Sequence, residues 1–319
     1  VPAGAQNGAV DFGVFLPVSG NASHRSGLIS AARRAEEWGF TTVWAADRIV
    51  IPWSIETPYS YNWTGSFFVP PEKPFLEPLT ALAFLAGATE KIRLGVSVLV
   101  MPYRNPVHWA KVAATIDWLS EGRFILGVGI GWMREEFSAL GADFSHRGEI
   151  GDEQLRLARA LFSEPHVTFH GDRYHLDDIA FEPKAFDTEH PIPIWAGGEG
   201  VPAQRRAGRF ADAWFPYFPR VTPGELRRRM DRVRSFAAES EREPGEVGFN
   251  CCLSIDLTQR SQTQEPDLLR GNPGQIAERL DLFRREGVEH VGLQFLVGRF
   301  PERLEQMQRF SEEVLPQLR

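Results

Sequence analysis

Cysteine is nearly absent from this chain of 319 residues: the only two, Cys251 and Cys252, are neighbours. That spacing suits neither a disulfide framework nor a CxxC metal site, and it points to a reduced, cytoplasmic setting. Histidine is sparse as well, and its eight copies form no HxH, HExxH or His/Cys cluster, so no metal centre is expected. Long apolar runs are missing. The longest are strand-sized, far below the ~20 residues that cross a bilayer, which excludes a membrane partner. A basic surplus is missing too: the net charge of −7 argues against nucleic acid. Lysine makes up only four of the 35 basic residues, a bias that carries little chemistry. There is no GxSxG elbow. No early GxGxxG is followed by an acidic residue about twenty positions on, which excludes a Rossmann dinucleotide fold. Residues 1–9 lack a basic segment followed by an apolar one and read as an N-terminal extension, not a signal peptide.

What the chain does have is an ordinary globular composition, 43% hydrophobic and 24% charged, arranged in a repeating pattern. Short apolar runs at 11–16, 42–46, 92–100, 124–128, 192–196, 213–216, 247–257 and 290–295 read as strands. Amphipathic segments at 28–38, 78–89, 106–119, 151–162, 202–210, 225–238, 273–286 and 302–315 read as helices. The strands are apolar throughout, as strands buried on both faces must be. Eight strands alternating strictly with eight helices call for a parallel sheet. Closure into a single (β/α)8 TIM barrel over 10–319 is more economical than an open doubly wound sheet. Three segments interrupt the alternation, after strand two (50–75), after strand four (132–150) and, as a β-hairpin, before strand five (166–186). Loops of that length usually form lids or binding walls.

In such a barrel the site lies at the C-terminal ends of the strands. Asp47 and Arg48 follow strand two, leading into an aromatic loop with Trp53, Tyr59, Tyr61, Trp63, Phe67 and Phe68. If that loop folds over the mouth, Trp53, Tyr59 and Trp63 line a substrate pocket; otherwise the loop packs on itself or on another subunit. Gly127-Val128-Gly129-Ile130-Gly131-Trp132 follows strand four, and Gly197-Gly198-Glu199-Gly200 follows strand five. Two glycine-rich turns ahead of helices suit an anion on backbone N–H groups, with Arg147 as counter-charge. Each cluster alone is as readily a tight βα turn. The arginine-rich run 227–234 reads as a solvated helix face.

Several stretches together resemble the bacterial luciferase-like flavin-dependent oxidoreductases: AEEWGFTTVWAADR, IRLGVSVLVMPYRNPV, LSEGRFILGVGIGWMREEF, the Arg147-Gly148 pair and IPIWAGG, in that order over residues 11 to 295. YRNPV and the residues after Asp47 make the chain most similar to the branch that uses the deazaflavin coenzyme F420. The resemblance implies a reduced cofactor across the barrel mouth, its phosphate near Gly129, Gly131, Trp132, Arg147, Gly197, Gly198 and Glu199. It also implies a strand-three bulge at Ser97-Val98, commonly with a non-prolyl cis peptide, backing the cofactor ring. One departure stands out. The branch usually carries histidine after the strand-two aspartate, and here that residue is Arg48, which cannot exchange a proton near neutral pH. Asp47 and Arg48 are the catalytic candidates, Arg48 as a fixed cation. The expected activity is hydride transfer between reduced F420 and a small organic substrate, in a homodimer. The alternatives are an FMNH2/O2-dependent monooxygenase and a non-catalytic flavin-binding protein.

Overall fold

The computed structural model describes residues 10–61, 64–217, 221–262 and 268–318. Eight parallel strands close into a barrel in the order β1 (Asp11–Phe15), β2 (Thr42–Ala45), β3 (Arg93–Val100), β4 (Phe124–Gly129), β7 (Ile194–Ala196), β8 (Ala213–Trp214), β9 (Gly248–Leu257) and β11 (His290–Phe295), which pairs back to β1. Around them run α1 (Arg25–Glu37), α2 (Pro78–Ala86), α3 (Pro106–Leu119), α4 (Arg134–Ala139), α5 (Arg147–Ser163), α6 (Val201–Phe210), α7 (Pro223–Ala238), α8 (Pro273–Arg285) and α9 (Phe300–Arg309). This is the (β/α)8 barrel that the alternation predicts. The segment before the fifth barrel strand is an antiparallel hairpin of β5 (Val167–His170) and β6 (His175–Ile179), also as expected.

One strand escapes the sequence reading. β10 (Leu268–Gly271) pairs with the last residues of β9, from Ser254 to Leu257. β9 is ten residues long, whereas β8 contacts it only at Gly248 and Phe249, so its far edge needs cover. The short LLRG segment supplies that cover, with only two leucines to announce it. The helix expected from residue 151 is α5, which starts earlier, with Arg147 as its first residue, and the short α4 precedes it.

Local chemistry sets the helix starts. Asn105 caps α3 through Val107 and His108, and Asn272 and Gln275 form a reciprocal capping box on α8; each is followed by proline, which suits a first helical turn. Inside the barrel, Trp44 fills the centre. A Cβ on Gly13 or Gly95 would come within 2.5 or 2.2 Å of its indole, so both strands need glycine there. Trp44 donates its indole N–H to His290 Nε2 at 3.1 Å and packs on Trp195 and Phe215. The interior is therefore a packed plug, and room for a ligand is left at the mouth. No helix among the described residues is long and apolar enough to cross a membrane.

Candidate active site

A cavity of about 1260 Å³, including its open mouth, lies at the C-terminal ends of the barrel strands. Its first wall comes from β2. Asp47 accepts both guanidinium arms of Arg104, at 2.7 and 2.8 Å, and the backbone N–H of Val100 at 2.8 Å. Both carboxylate oxygens are thereby committed, and Asp47 ties the end of β2 to the end of β3. Arg48 faces the cavity. Its Nη1 donates to Glu136 Oε2 at 2.9 Å, and its guanidinium stands 5.1 Å from the centres of both the Phe67 and Trp132 rings. Glu136 is fully buried and also accepts from Tyr103 Oη and the backbone N–H of Ile49.

The preceding carboxylate, Glu135, accepts the N–H groups of Glu56 and Thr57 and the Thr57 hydroxyl. Two consecutive glutamates on α4 thus staple the loop after β2 over the mouth. The loop packs on its own aromatics and lines the cavity at once. Tyr59 is buried, 4.9 Å from Trp132 and 5.5 Å from Phe67 by ring centres, while Tyr61 meets Tyr217 edge-on at 5.4 Å. Burial, reinforced by the Glu199 charge, pushes the Tyr61 phenol up to about 12, and burial drives Tyr217 well above its ordinary value. Both stay protonated at neutral pH. Trp53, expected in the pocket, is 82% exposed and stands outside the cavity, beside Pro52 and Ile55 on the outer face of the loop. Trp63 lies outside the described residues.

The floor comes from β3. The Ser97–Val98 peptide is cis, and the register against β4 shifts between Val96 and Leu99. Val98 reaches across the ends of β4 and β7: a Cβ on Gly129 would sit 2.5 Å from one of its methyls, and one on Gly197 3.0 Å from the other. Those two glycines make room for the valine, leaving an apolar ledge. Gly131 has a φ of +76° and its Cβ would strike Val100 and Phe137, so glycine is required at that turn. Trp132 and Gly198 complete this side.

Beside the ledge is a cluster of cations. Arg206 lines the cavity from α6, bonded to the Asp152 carboxylate and the Gly148 carbonyl. Arg147 lies behind it and not on the cavity wall. It donates to the Phe144 carbonyl at 2.8 Å and stands 3.9 Å from the centre of that ring, with Arg134 over the same ring at 4.2 Å. Burial, then repulsion from Arg134 and Arg206, holds the Arg147 guanidinium below its ordinary pKa, and its buried Nε has no hydrogen-bond partner among the described residues. Three guanidiniums gather here with the Asp152 carboxylate. Glu199 turns away from the cavity to Arg229 of α7, at 3.0 Å.

Arg206 is absent from the sequence reading. Its signal was its position three residues after Ala203 and one before Ala207, on the side of α6 that faces inward. Glu136 was missed because its partners are distant in sequence, and Arg104, which follows strand three within YRNPV, was given no partner for the same reason. Gln294 and Arg303, on the opposite rim of the cavity, were missed as well.

Comparison with known proteins agrees with this fold. The family model described as luciferase-like monooxygenase matches residues 10–265. A phthiodiolone/phenolphthiodiolone dimycocerosates ketoreductase of Mycobacterium tuberculosis is 30% identical over 275 residues, spanning 82% of this chain and 69% of that protein. Two solved structures share the fold: an F420-dependent secondary alcohol dehydrogenase in complex with an F420-acetone adduct (TM-score 0.77, 18% identity, 98% and 99% of the two chains) and a monooxygenase from Streptomyces bottropensis (TM-score 0.77, 19% identity, 96% and 99%). With a barrel closed in this order and a family model spanning most of its length, the chain belongs to the luciferase-like monooxygenase family.

Proposed function

We propose that this protein is an F420-dependent oxidoreductase that transfers a hydride between the reduced deazaflavin and the carbonyl carbon of a small organic substrate. The observation that carries the proposal is the pairing, in one cavity, of an apolar ledge at Val98 with a guanidinium cluster at the glycine-rich rim. A flat ring with a phosphate-bearing tail fits that pairing: the ledge suits the ring, and Arg206, with Arg147 behind it, suits the phosphate. The clearances at Gly129 and Gly197 and the unpartnered Arg147 Nε support the fit. The ketoreductase relative and the YRNPV segment favour reduction by F420 over oxygenation with FMN.

When bound, the deazaflavin supplies a hydride at a carbon centre and reacts poorly with oxygen. The chain's own residues supply position, charge and a proton. Arg48, locked between Glu136 and two aromatic rings, presents a fixed positive charge toward which a carbonyl oxygen can polarise. Tyr61 carries its phenolic proton at neutral pH, as an ordinary phenol does, and burial raises its pKa further, to about 12. An alkoxide is a stronger base than that phenolate, so the proton passes downhill from Tyr61 Oη as the carbonyl is reduced. Asp47 and Glu136 act as positioning residues, holding β3 and Arg48. The aromatic loop keeps water from the reacting atoms.

Anaerobic incubation with chemically reduced F420 and a panel of ketones tests this reading. Ketone-dependent return of the oxidised F420 absorbance is expected, with no requirement for oxygen. Turnover only with reduced FMN and oxygen would overturn it in favour of a monooxygenase.

A further inference from the structure

The cavity has a second charged rim. Arg303, in the first turn of α9, and Gln294, near the end of β11, both line it. β11 and β4 stand four strands apart in an eight-stranded barrel, so this rim lies across the mouth from the glycine-rich turns. The two sides differ in how their cations are matched. Arg206 has Asp152 and Arg48 has Glu136. Arg303 Nε is buried without a hydrogen-bond partner, and among the described residues no carboxylate pairs with the guanidinium. The neighbouring Glu302 is taken by Arg299. The Gln294 side chain has no partner among the described residues either.

Three features make this an unfavourable place for an arginine. The charge is largely buried, and burial alone lowers its pKa, with no opposite charge offsetting it. It lacks a counter-ion among the described residues. It sits in the first turn of a helix, where the macrodipole favours negative charge. An anion from outside the chain removes all three penalties together. A guanidinium presents a fork that matches the two oxygens of a carboxylate, and a primary amide adds a neutral donor beside it.

We infer that Arg303 and Gln294 form an anchor for a carboxylate, or an isosteric oxyanion, on the substrate. The inference rests on reading the mouth as a hydride-transfer site and narrows its substrate class. The substrate has an apolar or aromatic body lying against Phe75, Tyr59 and Phe68, and an acid group remote from its reacting carbonyl. The phosphate of the cofactor is accounted for on the opposite rim, which leaves Arg303 to the substrate.

Benzoate and its neutral isostere benzamide are the probes. Each is titrated calorimetrically into the intact protein and into Arg303→Gln, Arg303→Lys and Arg303→Met variants. F420 affinity is followed separately by fluorescence. Benzoate is expected to bind about tenfold or more tighter than benzamide, a preference that disappears in Arg303→Gln and persists in part in Arg303→Lys. F420 affinity is expected to stay unchanged in all three. Without ligand, Arg303→Met is expected to melt at or above the wild-type temperature, because an unpaired buried charge has been removed, whereas a structural arginine would lower it. Equal binding of the two probes to wild type, a preference surviving in Arg303→Gln, or a lowered melting temperature in Arg303→Met would each overturn the inference. So would a fall in F420 affinity in Arg303→Gln, which would assign the anion to the cofactor and leave the proposed function standing. Absence of F420 binding to wild type, with an Arg303-dependent benzoate preference intact, would sustain this site and sink the proposed function.

Discussion

Where β2, β3 and α4 meet, charges are held in pairs: Asp47 with Arg104 and Arg48 with Glu136, the last pair nearly closed to solvent. Where β11 leads into α9, Arg303 lines the same cavity, and among the described residues no carboxylate pairs with it. Both walls bury arginine, so burial does not separate them. Completeness does. A pair that is satisfied within the chain holds its geometry before any ligand arrives, which suits a cation that must polarise a reacting group. A cation left unmatched reports a partner that belongs to another molecule. The guanidinium cluster around Arg147 and Arg206 is intermediate, with Asp152 as a counter-charge and one guanidinium nitrogen unpartnered.

The largest expected effect tests the satisfied wall. Glu136→Ala leaves Arg48 buried without its counter-ion and releases the N–H of Ile49 and the hydroxyl of Tyr103. Chemical denaturation is expected to show a loss of about 3–5 kcal/mol. A loss below about 1 kcal/mol would show that the wall is not locked by this carboxylate. At the intermediate rim, Arg206→Ala is expected to weaken cofactor binding by about 1.5–3 kcal/mol, the worth of a charge-assisted contact, while stability changes less. Unchanged affinity would move the phosphate elsewhere.

A third comparison sets the mouth against the plugged interior. Burial, then the Arg93 charge, drives the His290 pKa well below its ordinary value, so the ring is neutral when folded. The unfolded chain takes up a proton at this residue below about pH 6.5 and the folded chain does not. Stability is therefore expected to be flat above that pH and to fall below it by up to about 1.4 kcal/mol per pH unit from this group. Urea midpoints measured against pH check this. In His290→Gln, which keeps an acceptor for the Trp44 indole, that part of the slope disappears; an unchanged slope would assign the acid sensitivity to other groups. The smallest effect belongs to Trp53. Its side chain stands free of the cavity, so Trp53→Ala should leave stability within about 0.5 kcal/mol and cofactor affinity unaltered. A clear loss of either would return that residue to the site.

The barrel was legible because strands buried on both faces are written as apolar runs, and the turns between them carry glycine, proline or asparagine. β10 was not legible, because it exists only to cover an edge that the lengths of β8 and β9 create. At the site, Arg48, Val98 and the glycine turns could be placed because strand ends fix where they emerge. Trp53 and Arg147 could not. A loop residue has no periodicity to say which way it points, and Trp53 turned outward once Glu135 pinned the loop beside it at Glu56 and Thr57. Arg206 and Arg303 escaped for a different reason. An arginine on a helix reads as solvated unless its face is known to meet a cavity, and only the closed barrel shows that.

The central claim is that this cavity takes F420, its ring on the Val98 ledge and its phosphate beside Arg206. Parallel fluorescence titrations of the purified protein with F420 and with FMN test it most directly. F420 is expected to bind at least about tenfold more tightly than FMN, a difference of about 1.4 kcal/mol. Tighter binding of FMN, or saturable binding of neither, would contradict it.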